Sequence, residues 1–134
     1  MHSWKRGRIL IADNDEEVLI ALERLFEDHG YDTAVTARQD DLQALSQNLV
    51  DLLVLDDDLS GAGCVEVLTD LQHSSPRTPP TIVTYHQPPS RKVREQLSFL
   101  GVDAVINKCS HAQLVEIARH LLEHRPQSEF DCMT

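Results

Sequence analysis

The sequence predicts an α/β protein of (βα)5 type, a doubly wound five-stranded parallel sheet with helices on both faces. Five short apolar runs alternate with five longer segments whose apolar residues recur at helical spacing. The third run, Leu-Leu-Val-Leu at residues 52–55, is apolar on both faces, which is typical of a strand buried in a parallel sheet. The length of 134 residues, with 41% hydrophobic and 25% charged residues, suits one soluble domain.

The first two strand–helix units occupy roughly the first third of the chain. Strands are predicted at residues 8–12 and 31–35, where apolar and β-branched residues dominate. The first helix is capped by Asn14 or Asp15, and Gly30 closes it at the C′ position. The helix positions that predict the two buried faces are Val18, Leu22, Leu25 and Phe26, then Leu42, Leu45 and Leu49.

The remaining three units follow the same alternation. Strands are predicted at residues 52–55, 81–84 and 103–106, and prolines mark the loops before and after the fourth strand. Ser110 and Gln113 form an S-x-x-Q pattern, which predicts a capping box at the start of the fifth helix. The apolar helix positions are Val65, Leu68 and Leu71, then Val93, Leu97 and Leu100, and finally Leu114, Ile117, Ala118, Leu121 and Leu122.

Composition excludes several classes of protein. The net charge of -10 argues against a nucleic-acid surface, which requires a basic stripe. Three widely spaced cysteines without a C-x-x-C pair argue against a disulfide framework and favour a reducing, cytoplasmic compartment. Neither a secretory signal nor an apolar run of the ~20 residues that a membrane helix needs is visible. We expect an N-terminal extension at residues 1–7, the domain at 8–123 and a polar tail at 124–134.

Polar residues follow four of the five predicted strands at their carboxyl ends. They are Asp13 and Asn14 after the first strand, Asp56, Asp57 and Asp58 after the third, Thr84 at the end of the fourth and Lys108 after the fifth. Ligands of such sheets bind beyond these strand ends, so we expect the groups to line one pocket. Closely packed carboxylates favour a hard cation such as Mg²⁺. A hydroxyl and an ammonium suit phosphoryl oxygens, and an Asp beside the ion can act as nucleophile and form an acyl phosphate.

These motifs resemble the response-regulator receiver domain of two-component signalling. The resemblance lies in Ile-Leu-Ile-Ala-Asp-Asn-Asp at residues 9–15, Asp-Leu-Leu-Val-Leu-Asp at 51–56, Ile-Val-Thr at 82–84 and Gly-Val-Asp at 101–103, which leads to Lys108. It covers roughly residues 8–123, nearly the whole chain. The resemblance implies a flavodoxin-like fold with strand order 2-1-3-4-5.

The resemblance also implies a function, that of a signalling domain rather than an enzyme. Asp56 would accept a phosphoryl group from a histidine kinase or a phosphotransfer protein, with at most self-catalysed phosphorylation and dephosphorylation. Thr84 and Lys108 would contact the phosphoryl oxygens and couple them to the face formed by the fourth helix, fifth strand and fifth helix. That face would meet an output domain, a partner protein or a second copy. The implied Mg²⁺ ligands are Asp13, Asn14, Asp56 and the backbone carbonyl of Asp58.

The chain departs from the family pattern at five positions, one of which is Ser60 in place of a usual proline. Asn14 stands where the family usually has a second acid, so we expect weaker Mg²⁺ binding and slower phosphorylation. Tyr85 replaces a small residue and is expected to narrow access to the acceptor, and Val105 replaces an aromatic ring. Cys109 replaces a cis proline, which leaves either a trans bond or a strained cis bond there, since a non-proline cis bond costs ~2.5–4 kcal/mol.

Two alternative functions remain open at the level of sequence. A degenerate receiver, acting as a phosphorylation-independent protein-interaction module, would account for Asn14, Val105 and Cys109. Residues 56–60 also match the D-x-D-x-[TS] motif of haloacid-dehalogenase-type phosphatases. That family carries the motif on its first strand, whereas here it follows the third predicted strand.

Overall fold

A computed structural model describes residues 6–46, 50–59, 61–75 and 77–124. Its strands are β1 (Arg8–Ala12), β2 (Asp32–Thr36), β3 (Leu52–Asp56), β4 (Asp58–Leu59), β5 (Ala62–Gly63), β6 (Thr81–Tyr85) and β7 (Ala104–Asn107). Its helices are α1 (Glu16–Asp28), α2 (Gln39–Ser46), α3 (Cys64–Ser74), α4 (Arg91–Phe99) and α5 (His111–Glu123). The main sheet is parallel with the order β2-β1-β3-β6-β7, which confirms the predicted fold class and strand order.

The sheet separates two apolar layers. Successive side chains of a strand point to opposite faces, so Leu52 and Val54 of β3 enter the layer with α1 and α5. Leu53 and Leu55 of the same strand enter the other layer with α3, α4 and Leu42 of α2. All five residues of β3 are buried, which explains why this strand is apolar on both faces. Leu49 and the side chain of Leu45 lie outside the described part of the chain.

Capping residues fix where the helices begin and end. Asp15 is the N-cap of α1, where its carboxylate accepts the N–H of Glu17 at 2.9 Å, and Gly30 follows α1 with φ +89°, as predicted. Ser90 caps α4 through the N–H of Val93. The predicted capping box at α5 is wrong, because Ser110 has ψ 66° instead of the extended backbone of the other caps and makes no side-chain cap bond.

Three local features differ from the sequence-based expectation. Both β2 and β7 begin one residue later than predicted. The short antiparallel ladder of β4 and β5 was not predicted, since strands of two residues have no readable periodicity. Arg6, inside the expected extension, packs on the domain: its N–H donates to the Gly30 carbonyl at 3.0 Å, and its guanidinium carbon lies 5.6 Å from the Tyr31 ring centroid. Within the described ranges, no helix is long and apolar enough to cross a bilayer.

Candidate functional site

The buried charged side chains of the described residues meet at one point, the carboxyl edge of the parallel sheet. They are Asp13 (1% exposed), Asp56 (4%) and Lys108 (6%). Asp13 follows β1, Asp56 ends β3 and Lys108 follows β7, so three separate strands deliver them. Buried charges are rare unless they are paired. Three residues that were expected to line one pocket are therefore in contact at this edge of the sheet.

Lys108 lies between the two buried carboxylates. Its Nζ atom is 2.9 Å from Asp13 Oδ2 and 2.8 Å from Asp56 Oδ1. Two backbone N–H groups also point at Asp56: that of Asn14 donates to Oδ2 at 3.2 Å, and that of Asp58 donates to Oδ1 at 3.4 Å. The Asp15 N–H donates to Asp13 Oδ1 at 2.8 Å. The strand-end loops therefore hold both carboxylates in fixed orientations.

This arrangement separates the proton affinities of the two carboxylates. Burial raises the pKa of Asp56, but hydrogen bonds from the Lys108 ammonium and the Asn14 N–H outweigh it, and the net pKa is lowered. The pKa of Asp13 is raised, because burial outweighs the Asp15 N–H and the Lys108 ammonium. Burial lowers the pKa of Lys108, but Asp56 and Asp13 more than compensate and raise it. Asp56 is thus the carboxylate that is held ionised most firmly.

The residues at the centre fit a hard divalent cation. Asp13 and Asp56 carry two negative charges against one ammonium, and the buried Asp13 Oδ2 has an ion contact but no well-aligned hydrogen bond to a described residue. Among the described residues no cluster of three or more His, Cys, Asp or Glu forms a complete metal cage. Mg²⁺ does not require one, since it binds through one or two carboxylates and retains several waters. Asn14 contributes its backbone N–H to Asp56 and no carboxylate.

Thr84 of the neighbouring strand β6 and Asp57, which directly follows β3, lie beside this centre. Thr84 is 1% exposed and pairs in register with Asp56, so its hydroxyl lies on the same sheet edge. The Thr84 carbonyl accepts the Asp57 N–H at 2.9 Å. Asp57 is half-buried and hydrogen-bonds with the Asp56 carboxyl, and burial and that neighbour raise the pKa of Asp57 to about 6. Of the three carboxylates at residues 56–58, Asp57 is the one for which the sequence predicted no role.

A polar cleft opens above the buried centre. Its lining residues are Asn14, Asp15, Glu16, Asp56, Asp57, Asp58, His86, Gln87 and Lys108. Sequence reasoning missed Glu16, His86 and Gln87 as lining residues; the signal was the position of Glu16 at the start of α1 and of His86 and Gln87 directly after β6. Tyr85 was expected to narrow this entrance; it is not among these lining residues, and its ring centroid lies 6.0 Å from the Arg94 guanidinium carbon. The bond before Cys109 is trans, since the described residues contain no cis peptide.

A doubly wound parallel sheet with buried acids and a lysine at its carboxyl edge is characteristic of α/β proteins whose ligands bind beyond the carboxyl ends of the strands. A family model described as response regulator receiver domain matches residues 9–119. The chain belongs to this family of two-component response regulators. The match covers the strands that deliver Asp13, Asp56, Thr84 and Lys108.

Known proteins show the same relationship. The chain is 32% identical over 124 residues to the alginate biosynthesis transcriptional regulatory protein AlgB of Pseudomonas aeruginosa, and the alignment covers 92% of this chain but 27% of AlgB. A CheY-like receiver domain protein from Methanospirillum hungatei has a TM-score of 0.78 at 24% identity, covering 90% of this chain and 95% of that one. The BeF3-activated N-terminal receiver domain of RstA from Klebsiella pneumoniae has a TM-score of 0.75 at 22% identity, covering 87% and 98%. At these identities the solved structures show the fold alone.

Proposed function

We propose that this receiver domain accepts a phosphoryl group on Asp56 with Mg²⁺ bound beside it. The observation that carries the proposal is the Asp56 carboxylate itself: it lines the cleft, and Lys108 lies 2.8 Å from its Oδ1 atom. The pKa of Asp56 is lowered by the hydrogen bonds from Lys108 and Asn14, which outweigh its burial, so the nucleophile is ionised at neutral pH.

The transfer uses Lys108, which contacts Asp56, and the Thr84 hydroxyl, which in this structure donates to the Leu55 carbonyl at 3.5 Å. A lone pair of an Asp56 carboxylate oxygen attacks phosphorus while the bond between phosphorus and the donor's imidazole nitrogen breaks. The imidazole keeps the bonding electron pair and takes up a proton as needed. Lys108 and the Thr84 hydroxyl then hold the new phosphoryl oxygens, which removes charge repulsion at a site already rich in carboxylates.

The proposed Mg²⁺ ligands are Asp13, Asn14, Asp56 and the backbone carbonyl of Asp58. When bound, the ion neutralises the negative charge that builds up on the phosphoryl oxygens. Asp13 supplies a buried carboxylate. Its Oδ2 atom contacts the Lys108 ammonium but has no aligned hydrogen-bond partner among the described residues. Asn14 supplies an amide oxygen and no charge, so we expect the ion to bind weakly.

The proposal extends to partners and compartment. The phosphoryl donor is a histidine kinase or a phosphotransfer protein, and the cytoplasm is the proposed compartment. The readout is a change of shape at the face of α4, β7 and α5, which meets an output domain, a partner protein or a second copy. The proposal ascribes no enzymatic turnover of an external substrate to the chain.

Phosphorylation by acetyl phosphate tests the proposal. The wild-type protein should gain the mass of one phosphoryl group in the presence of Mg²⁺ and lose that gain when EDTA is added first. Asp56→Asn should show no gain, whereas Asp57→Asn, a matched change one residue away, should still be modified. An adduct that persists in Asp56→Asn and vanishes in Asp57→Asn would move the acceptor. A wild-type protein that gains no mass with any donor would favour a phosphorylation-independent interaction module.

A further inference from the structure

Tyr85 touches both the candidate site and α4. It is the last residue of β6 and follows Thr84 directly. Side chains alternate along a strand: Ile82 enters the α1 and α5 layer, and Val83 enters the layer that contains α4. Tyr85 therefore shares the α4 face with Val83.

The ring of Tyr85 meets an arginine of α4. The guanidinium carbon of Arg94 lies 6.0 Å from the ring centroid, within the range of a cation–π contact. A contact of this kind biases an equilibrium by a factor of about two to five at an exposed site. It joins the end of a central strand to the second turn of a surface helix.

The backbone around Tyr85 is bonded to both sides of the acidic centre. The Tyr85 carbonyl accepts the N–H of Lys108 at 2.9 Å, and the Thr84 carbonyl accepts the N–H of Asp57 at 2.9 Å. Lys108 contacts Asp56 directly, and Asp57 follows Asp56 in the chain. A change of charge at Asp56 that moves either bonded segment therefore also moves the backbone that carries the Tyr85 ring.

Helix α4 is held by few buried side chains. It buries one side chain, Leu97, whereas α1, α3 and α5 each bury three or four. Elements with few buried apolar contacts are those that shift at low free-energy cost. Its ring contact with Tyr85 therefore adds to the packing of Leu97, Val93 and Leu100 in fixing its position.

We propose that Tyr85 is the positioning residue that transmits the state of Asp56 to α4 through its ring contact with Arg94. This inference rests on the proposed phosphorylation of Asp56. In the unmodified protein the contact holds α4 in one position; when the Asp56 charge changes, the Lys108 and Asp57 segments displace the Tyr85 backbone, and α4 follows the ring.

Amide chemical shifts test this coupling, with beryllofluoride plus Mg²⁺ as the probe that mimics the phosphoryl group. In the wild type, shifts should change both at Asn14 and Asp58, beside Asp56, and along α4. Tyr85→Leu should reduce the α4 changes by a factor of about two to five while the site amides respond as before. Tyr85→Phe keeps the ring and should behave as the wild type.

A second pair of variants separates the ring contact from helix stability. Arg94→Met removes the guanidinium and should reduce the α4 response as Tyr85→Leu does. Arg91→Met is the matched control, since Arg91 is 92% exposed on the same helix and pairs with Glu95 instead. If the α4 amide shifts of Tyr85→Leu and Arg94→Met change as much as those of the wild type while the site amides also respond, the coupling through Tyr85 is overturned and the proposed function is not. Absence of any site response in the wild type would overturn the proposed function and, with it, this inference.

Discussion

Replacing Lys108 with methionine is the most direct perturbation of the buried centre. Methionine keeps the length and the apolar stem of lysine but removes the ammonium that lies 2.9 Å from Asp13 and 2.8 Å from Asp56. Two carboxylates then remain buried, at 1% and 4% exposure, without their common cation. The variant must either protonate one of them or keep two unpaired like charges in the interior.

The expected loss is large compared with the stability of a small domain. Removing one partner of a buried ion pair costs about 3–5 kcal/mol, whereas a domain is stable by only ~5–15 kcal/mol. Burial is the largest influence on the pKa of each carboxylate, so without the ammonium we expect both folded-state pKa values to lie above their unfolded values. The folded state then binds protons more tightly, so the stability of the variant is greatest at low pH and falls as pH rises above about 4.

Urea unfolding of wild type and variant at about pH 5 and about pH 7.5 measures this effect. Lys108→Met should lose ~3–5 kcal/mol at the higher pH and less at the lower one. Lys92→Met is the control, because it removes an exposed lysine of α4 and should cost less than about 0.5 kcal/mol. Adding Asp13→Asn to Lys108→Met should recover about 1 kcal/mol or more. A loss below ~1 kcal/mol at both pH values would refute the buried ion-pair reasoning.

Two further predictions concern the neighbouring residues. Burial and Asp56 raise the pKa of Asp57 to about 6, above its unfolded value of 3.8, so Asp57 makes the protein less stable as pH rises through that window. Asp57→Asn should match the wild type near pH 4 and exceed its stability by about 1–3 kcal/mol above pH 7; parallel stability curves would contradict this. Asn14→Asp should tighten Mg²⁺ binding at least about fivefold, the effect of one added charge at ~4 Å even in bulk-water dielectric. Calorimetric titration with Mg²⁺ measures both affinities, and equal values for the variant and the wild type would contradict the prediction.

The sheet and the position of the site were predictable because both depend on local pattern. The apolar run at residues 52–55 and the β-branched run at 81–84 predicted strands, and parallel strands bring their carboxyl ends to one edge. That geometry alone predicts that Asp13, Asp56 and Lys108 converge. Strand order did not follow from the pattern and came from the family resemblance.

The failures of prediction have a common cause, which is orientation. Ser110 had the right sequence for a cap, but its backbone does not aim the hydroxyl at the helix. Tyr85 was expected at the entrance of the cleft, but its ring lies beside Arg94 of α4. A residue type and its spacing do not fix the direction of a side chain at an element end, where the regular geometry stops.

By itself, the sequence determined the alternation of strands and helices, the family and the set of polar residues at the strand ends. The tertiary structure decided which of these residues interact. It places Lys108 between Asp13 and Asp56, raises the pKa of Asp57 to about 6, and brings the Tyr85 ring to Arg94. The physical reason is distance. Periodicity along the chain encodes burial, whereas charge coupling depends on separations of a few ångströms between atoms from different strands.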